Sequence, residues 1–356
     1  MSLQFDHTTL GQRVLFGGGA AVENTTRELR ALGALRVAVI ADEFAEAIAD
    51  RIAAENPVVA RIRDIVQHVP IERAKAALDV VRSSAADVLV TIGGGSSTGL
   101  GKILALWTGL PIIAIPTTFA GSEATDVWGL TENGRKTTGS DHRVLPRAIV
   151  YDVSLTSGLP VNAAVASGLN AVAHAVDGFW APRADPINRA LGSESLRALI
   201  PGLRDLVANP ANIDARERTL YGAYLAAVAF ASAGSGMHHK VCHVLGGAYN
   251  LPHAEMHAVV LPYVAQFNAP AAPDAARRVS DALGDTPAAS GLWHLRQELG
   301  APSSLAAIGL REQDIAPAAD LVVAAIPPSN PRPATRADVE RLLRAAWAGT
   351  PIEEEK

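Results

Sequence analysis

The chain has 356 residues, 49% of them hydrophobic and 19% charged, with 30 glycines and 22 prolines. That composition can bury a large apolar core, which excludes disorder, and the length suggests about two domains. A net charge of −5 with no basic block excludes a nucleic-acid or anionic-membrane footprint, and a single cysteine, Cys242, excludes an intrachain disulfide and fits a reducing cytoplasm.

The opening MSLQFDHTTLGQRV has neither the basic nor the apolar region of a signal peptide. RVAVIAD (Arg36–Asp42) then reads as a buried strand, followed by helical spacing in EFAEAIADRIAAE. IERAKAALDVVRSSAA (Ile71–Ala86) predicts a helix, DVLVTIGGG (Asp87–Gly95) a second strand, and PIIAIPTT (Pro111–Thr118) a third. Strand, helix, strand in this order predicts a mostly parallel, Rossmann-like sheet covered on both faces. Asn133-Gly134 signals a hairpin, because that pair takes the positive φ angles of a tight turn. AIVYD (Ala148–Asp152) is the last strand expected.

Beyond it the pattern is helical. VNAAVASGLNAVAHAVDGFW, PINRALGSESLRALIPGLRDLV, ARERTLYGAYLAAVAFASA, DAARRVSDALG, ASGLWHLRQELG and TRADVERLLRAAWAG all have helical spacing. The reading is an α/β domain over residues 1–155, an all-α domain over 156–356, and an active site in the cleft between them. Leu220–Met237 carries no charge over eighteen residues, but its Ala, Gly and Ser content reads as a buried helix rather than a membrane span.

VLVTIGGGSSTGLGK (Val88–Lys102) is a strand, a glycine turn and a helix start. Glycines admit a pyrophosphate to the backbone, and a helix N-terminus offers it unpaired N–H groups. Gly93, Gly94, Gly95, Ser96 and Ser97 are therefore candidate cofactor residues. Asp42, ending its strand, is a candidate for the adenosine ribose, which would favour NADH over NADPH; the alternative is a helix cap. IPTTFAGSE (Ile115–Glu123) ends another strand and could border the same cofactor.

HHKVCHVLGGAYNLPH (His238–His253) holds four of the ten histidines. His239 and His243 share a helix face, as do Asn170 and His174. His174, His239, His253 and Asn170 have the spacing of helix-borne metal ligands, but Asn170 is a weaker, uncharged donor than a carboxylate. A cluster that can be cationic also suits an acidic substrate and supplies a proton donor near neutral pH.

The GGGS turn, the helical second half and the His-x3-His-x9-His spacing resemble the iron-containing alcohol dehydrogenase superfamily, of dehydroquinate synthase-like architecture, and most of all its maleylacetate reductase branch. The likeness extends through IPTTFAGSEATDVWGLTENGRKTTGSDHRVLPRAIVYDVSLTSGLP and SGLNAVAHAVDGFWAP. It implies reduction of the carbon–carbon double bond of maleylacetate, or a substituted analogue, to 3-oxoadipate with NADH, NADPH being possible. It assigns Lys102, Thr117, Thr118 and Ser122 to the cofactor with the residues above, and His243, His253, His239 and His174 to the catalytic set. Asn170 stands where metal-dependent relatives carry an aspartate ligand, so no metal is expected to be required. Lys240, His238, Asn170, Arg135 and Lys136 are candidate partners for substrate carboxylates, and a cytoplasmic homodimer is implied. The rivals are a metal-dependent alcohol or polyol dehydrogenase and a dehydroquinate synthase-like lyase.

Overall fold

The computed structural model describes residues 4–132 and 135–353. It divides into two compact units, one from Leu10 to Leu159, the other from Pro160 onward together with the residues up to Thr9. The division thus falls just beyond the expected boundary, and the N-terminal segment belongs with the helices. There His7 Nδ1 meets Asp185 Oδ2 at 2.7 Å, while Asp185 caps the following helix at Ile187 and Asn188.

In the first unit the chain runs β1 (Arg13–Phe16), α1 (Ala21–Ala31), β2 (Val37–Ala41), α2 (Glu46–Glu55), β3 (Val58–Ile62), α3 (Ile71–Ser83), β4 (Val88–Gly93), α4 (Gly95–Thr108) and β5 (Ile112–Pro116). The pair β6 (Val127–Glu132) and β7 (Arg135–Ser140) precedes β8 (Ala148–Tyr151). The main sheet has the order β1-β8-β5-β4-β2-β3, and every neighbouring pair is parallel. Its inner strands are buried on both faces, as their uninterrupted apolar runs require. Alternate residues feed two cores: Val37 and Val39 pack with α1 and α2, Ala38 and Ile40 with α3 and α4.

Two edge strands and α1 carry too weak a pattern to be read from sequence. In β1 only Leu15 is buried, and in β3 only Ile62. β6 and β7 pair antiparallel, Glu132 opposite Arg135; the Asn133-Gly134 turn itself lies outside the described residues.

The second unit is helical: α5 (Val161–Gly178), α6 (Pro186–Ala208), α7 (Ile213–Ala233), α8 (Met237–Tyr249), α9 (His253–Asn268), α10 (Pro273–Ala282), α11 (Ala288–Glu298), α12 (Ile315–Ala325) and α13 (Arg336–Ala348). The uncharged stretch around residues 220–237 is broken at Gly234, whose φ is +88°. No single helix among the described residues is long and apolar enough to cross a membrane; α7 and α8 pass that test only as a pair bent by 96°.

Candidate active site

The order of the strands fixes where a ligand can enter the α/β unit. The chain leaves β2 toward β3 on one side and leaves β4 toward β5 on the other. The carboxyl ends of β2 and β4 therefore flank a switch point, where ligands of such sheets bind. Asp42 follows β2 and the glycine turn follows β4. The two meet: a Cβ on Gly93 would lie 3.7 Å from Asp42 Oδ2.

Gly93 has φ +140°, and its added Cβ would strike Ser97 Oγ at 2.3 Å, so only glycine fits. On Gly94 it would press on Thr118 Cγ2 at 3.0 Å, while on Gly95 it would meet nothing within 4 Å. No side chain caps α4, which leaves its first N–H groups to a ligand. Ser97 Oγ is buried without a hydrogen-bond partner among the described residues. Thr117 donates its backbone N–H to Gly93 O at 3.1 Å. Asp42 also has the capping role weighed against ribose binding, since Oδ1 accepts from Phe44 N at 3.1 Å.

Lys102 departs from its expected role at the pyrophosphate. It is 0% exposed, and Nζ donates to Ser122 O (2.6 Å), Thr125 Oγ1 (2.9 Å) and Val127 O (2.8 Å). An ammonium has three donors, and all are used inside the protein. Ser122 accordingly enters through its carbonyl, tied to α4 by Lys102. Burial pushes Lys102 down to about 7, with Glu123 and Asp126 pulling it back.

In the helical unit, α5, α8 and α9 pack on one another. Asn170, His174 and Asp177 follow at four- and three-residue steps along α5 and share a face. Asp177, absent from the sequence-derived set, is the hub. It accepts from Gly236 N (2.9 Å), His238 N (3.1 Å), Trp180 Nε1 (3.0 Å) and His239 Nδ1 (2.8 Å). It thereby caps α8, whose own N-cap residue, Gly236, has no side chain to do so. A Cβ at Gly236 would stand 2.5 Å from Asp177 Oδ1. The His174-x-x-Asp177 spacing on one helix is the signal that could have found it.

The rings form a connected cluster. His174 stacks on His239, centroids 4.9 Å apart and planes within 9°, with Phe230 against both. His239 lies 4.8 Å from His257 and 6.1 Å from His243; His253, at the first turn of α9, lies 4.4 Å from His257. His257, also missed, exchanges a 2.9 Å hydrogen bond with His238 Nε2. Burial drives His174 down to about 4 and His238, His239 and His257 well below the ordinary histidine value. These four rings are therefore neutral near pH 7, so a positive charge that suits an acidic substrate does not rest on them. Half-buried His243 and His253 stand apart from them in exposure. His238, 0% exposed, is not placed to receive a substrate carboxylate, whereas Lys240 is partly exposed. Arg135 and Lys136 lie on β7 of the other unit; their side chains fall outside what is described. Cys242 is buried beside His238, and burial raises its thiol well above the usual value, which makes it a poor free nucleophile.

Comparison with known proteins adds to this geometry. The family model of iron-containing alcohol dehydrogenase matches residues 11–153, and that of the C-terminal part of the Fe-containing family matches 164–347. A maleylacetate reductase of Burkholderia cepacia is 45% identical over 95% of this chain and 96% of its own. The crystal structure of an iron-containing alcohol dehydrogenase from Corynebacterium glutamicum matches with TM-score 0.94 and 52% identity, covering 98% of both chains. That of maleylacetate reductase from Rhizobium sp. strain MTP-10005 matches with TM-score 0.91 and 40% identity, covering 98% of this chain and 99% of that one.

The expectation that no metal is required is corrected by these findings. The family is an iron-containing one, and His238, Cys242 and His257 bring ligand atoms within 4.8 Å of one another. A second donor set fits a cation on other grounds. Asn170 Oδ1, His174 Nδ1 and His239 Nε2 are all buried without a hydrogen-bond partner among the described residues. Neutral imidazoles present lone pairs, and Asp177 fixes His239 so that Nε2 is the free ligand atom. A bound iron would supply Lewis-acid polarisation of a substrate oxygen. The chain belongs to the iron-containing alcohol dehydrogenase family and is an oxidoreductase similar over nearly its whole length to the maleylacetate reductases.

Proposed function

We propose that this chain reduces the carbon–carbon double bond of maleylacetate, giving 3-oxoadipate, with NADH as hydride donor. The observation that carries the reading is the likeness to maleylacetate reductases across 95% of the chain. The cofactor-binding residues in it are Asp42, Gly93, Gly94, Gly95, Ser96, Ser97, Thr117, Thr118 and the Ser122 segment. Hydride arriving at the alkene carbon β to the ketone leaves negative charge on the ketone oxygen as an enolate. A proton must then reach the α carbon. His243 is the donor in this reading: it is half-buried and stands beside the neutral imidazoles rather than sealed among them. His239, His253 and His174 shape the pocket, and Lys240 offers a cation to a carboxylate of the dianion. The enzyme works as a cytoplasmic homodimer in this reading, which light scattering checks for the assembly.

The test follows NADH absorbance with maleylacetate and, separately, with simple aldehydes, before and after chelation and iron restoration. Rapid turnover of maleylacetate and none of the aldehydes is expected. Turnover of aldehydes alone would favour an alcohol dehydrogenase instead, the description carried by the 52% identical Corynebacterium structure. His243→Ala should lower kcat by about 10²–10⁴-fold while NADH still binds.

A further inference from the structure

A second concentration of buried donors lies on α11. Arg296, in its last turn, is 1% exposed. Neither its Nε nor its terminal nitrogens, nor Nε1 of Trp293 three residues earlier, meet an acceptor in full hydrogen-bond geometry among the described residues. The guanidinium carbon lies 5.7 Å from the Trp293 ring centroid. α11 packs on α9, which brings up Tyr263, 2% exposed. Its hydroxyl donates to Thr350 O at 2.9 Å. Tyr263 is also the one ionisable group that bears on Arg296, and its oxygen lies near enough to draw on N–H groups of both Arg296 and Trp293; a phenol is ordinarily neutral below about pH 10.

A guanidinium cannot shed its proton in a protein. Burying it without a counter-charge or a full set of acceptors is strongly unfavourable. Arg296 and Trp293 present N–H donors, and the single phenolic oxygen nearby cannot serve them all. One acceptor species that takes several N–H bonds at once, and carries one negative charge, would resolve both deficits.

We infer that Arg296, Trp293 and Tyr263 form a buried binding site for a small monovalent anion of halide size. Enclosure favours a compact, spherical acceptor over phosphate or a dicarboxylate. The site is distinct from the imidazole cluster, since Tyr263 follows His257, the cluster's last ring on α9, by six residues, about 9 Å along that helix. Its occupant stabilises the helical unit and takes no part in turnover.

The full-length protein is heated at fixed ionic strength while chloride or bromide replaces gluconate, which is too bulky for an enclosed site. The Tm of the unaltered protein should rise by about 2–4 °C and saturate, as binding to the native state requires. Arg296→Met should abolish the rise and leave NADH-dependent turnover unchanged, and Trp293→Phe should move the midpoint to about tenfold higher halide, the loss of one charge-assisted donor. An equal rise in Arg296→Met, or none in the unaltered protein, overturns the site. Should Arg296→Met not fold, bromide-soaked crystals of the unaltered protein decide. An anomalous peak against the guanidinium supports the inference, and ordered water alone in that place overturns it.

Discussion

Lys102 in the α/β unit and Asp177 in the helical unit are each 0% exposed, and each ties several elements together. Lys102 gives its donors to two backbone carbonyls and a threonine hydroxyl. Beside it Glu123, pushed up by burial, takes a 2.6 Å bond from the Tyr151 hydroxyl. These partners are fixed, so the Lys102 knot can only hold the start of α4 against the 122–127 segment. Asp177 also holds backbone, at the start of α8, but one of its partners is the imidazole of His239. Because a carboxylate on Nδ1 decides which nitrogen of that ring keeps its lone pair, the same carboxylate that caps a helix also sets a reactive group. Equal burial thus yields a strut in one unit and a tuned ligand in the other.

The sharpest way to break this contrast is Asp177→Ala. Removing a carboxylate that serves four donors, and leaving them unpaired, should destabilise the protein by about 3–5 kcal/mol. Turnover should fall by about 10–100-fold beyond what the loss of folded protein explains, as for other groups that orient a ligand histidine. Chemical denaturation and active-site-normalised kinetics measure the two. Full turnover in the folded fraction would reduce Asp177 to a strut like Lys102.

Acid provides the next largest effect. His174 is held at about 4 in the folded protein against 6.5 ordinarily. Between those values the unfolded chain binds a proton that the folded chain refuses, so stability falls as pH drops from 6.5 toward 4. His174 alone contributes on the order of 3 kcal/mol, and His238, His239 and His257 act in the same direction. Lys102, at about 7 against 10.5, has the same sign in another window: stability rises from pH 7 to 10.5. Hydrogen exchange resolved by segment should therefore show the helical unit loosening below pH 6.5. Loosening of both units together in that range would remove the distinction.

How far the sequence discloses these features depends on whether the signal is local. The inner strands β2, β4, β5 and β8 are continuous apolar runs, and the glycine turn is a contiguous word, so both are legible. The edge strands β1 and β3 are half-exposed and lack a pattern. His174, His239, His243 and His253 stand out by spacing, and the structure joins them in one cluster through His257. Asp177 looks like any helical aspartate until α8 is laid across it. Likewise Lys102 reads as a phosphate ligand because its sequence neighbours are glycines, while its acceptors come from residues twenty or more positions away. Burial and long-range hydrogen bonding decide both roles, and neither is written in a short window.

A smaller effect tests the Lys102 strut. Lys102→Met keeps the aliphatic stem but removes the ammonium's bonds to three acceptors, of which Ser122 O still accepts from Thr125, at about 1–3 kcal/mol. The NADH KM should rise with kcat little changed, because only the positioning of the cofactor turn is loosened.

The smallest effect separates fold from ligand at that turn. Gly93 and Gly94 are glycines for packing and backbone reasons, so their substitution cannot report on a cofactor. Gly95 differs: a Cβ there would meet nothing within 4 Å, and the residue opens α4 outside the left-handed region. Alanine at such a site should leave stability unchanged or raise it by up to about 1 kcal/mol, through helix propensity. Any loss in NADH affinity then has no structural source in the protein itself. A severalfold rise in the NADH KM of Gly95→Ala, with Tm level or higher, would mean that the dinucleotide approaches the backbone where the side chain would stand. An unchanged KM would move the pyrophosphate away from this turn, and Ser96 and Ser97 with it.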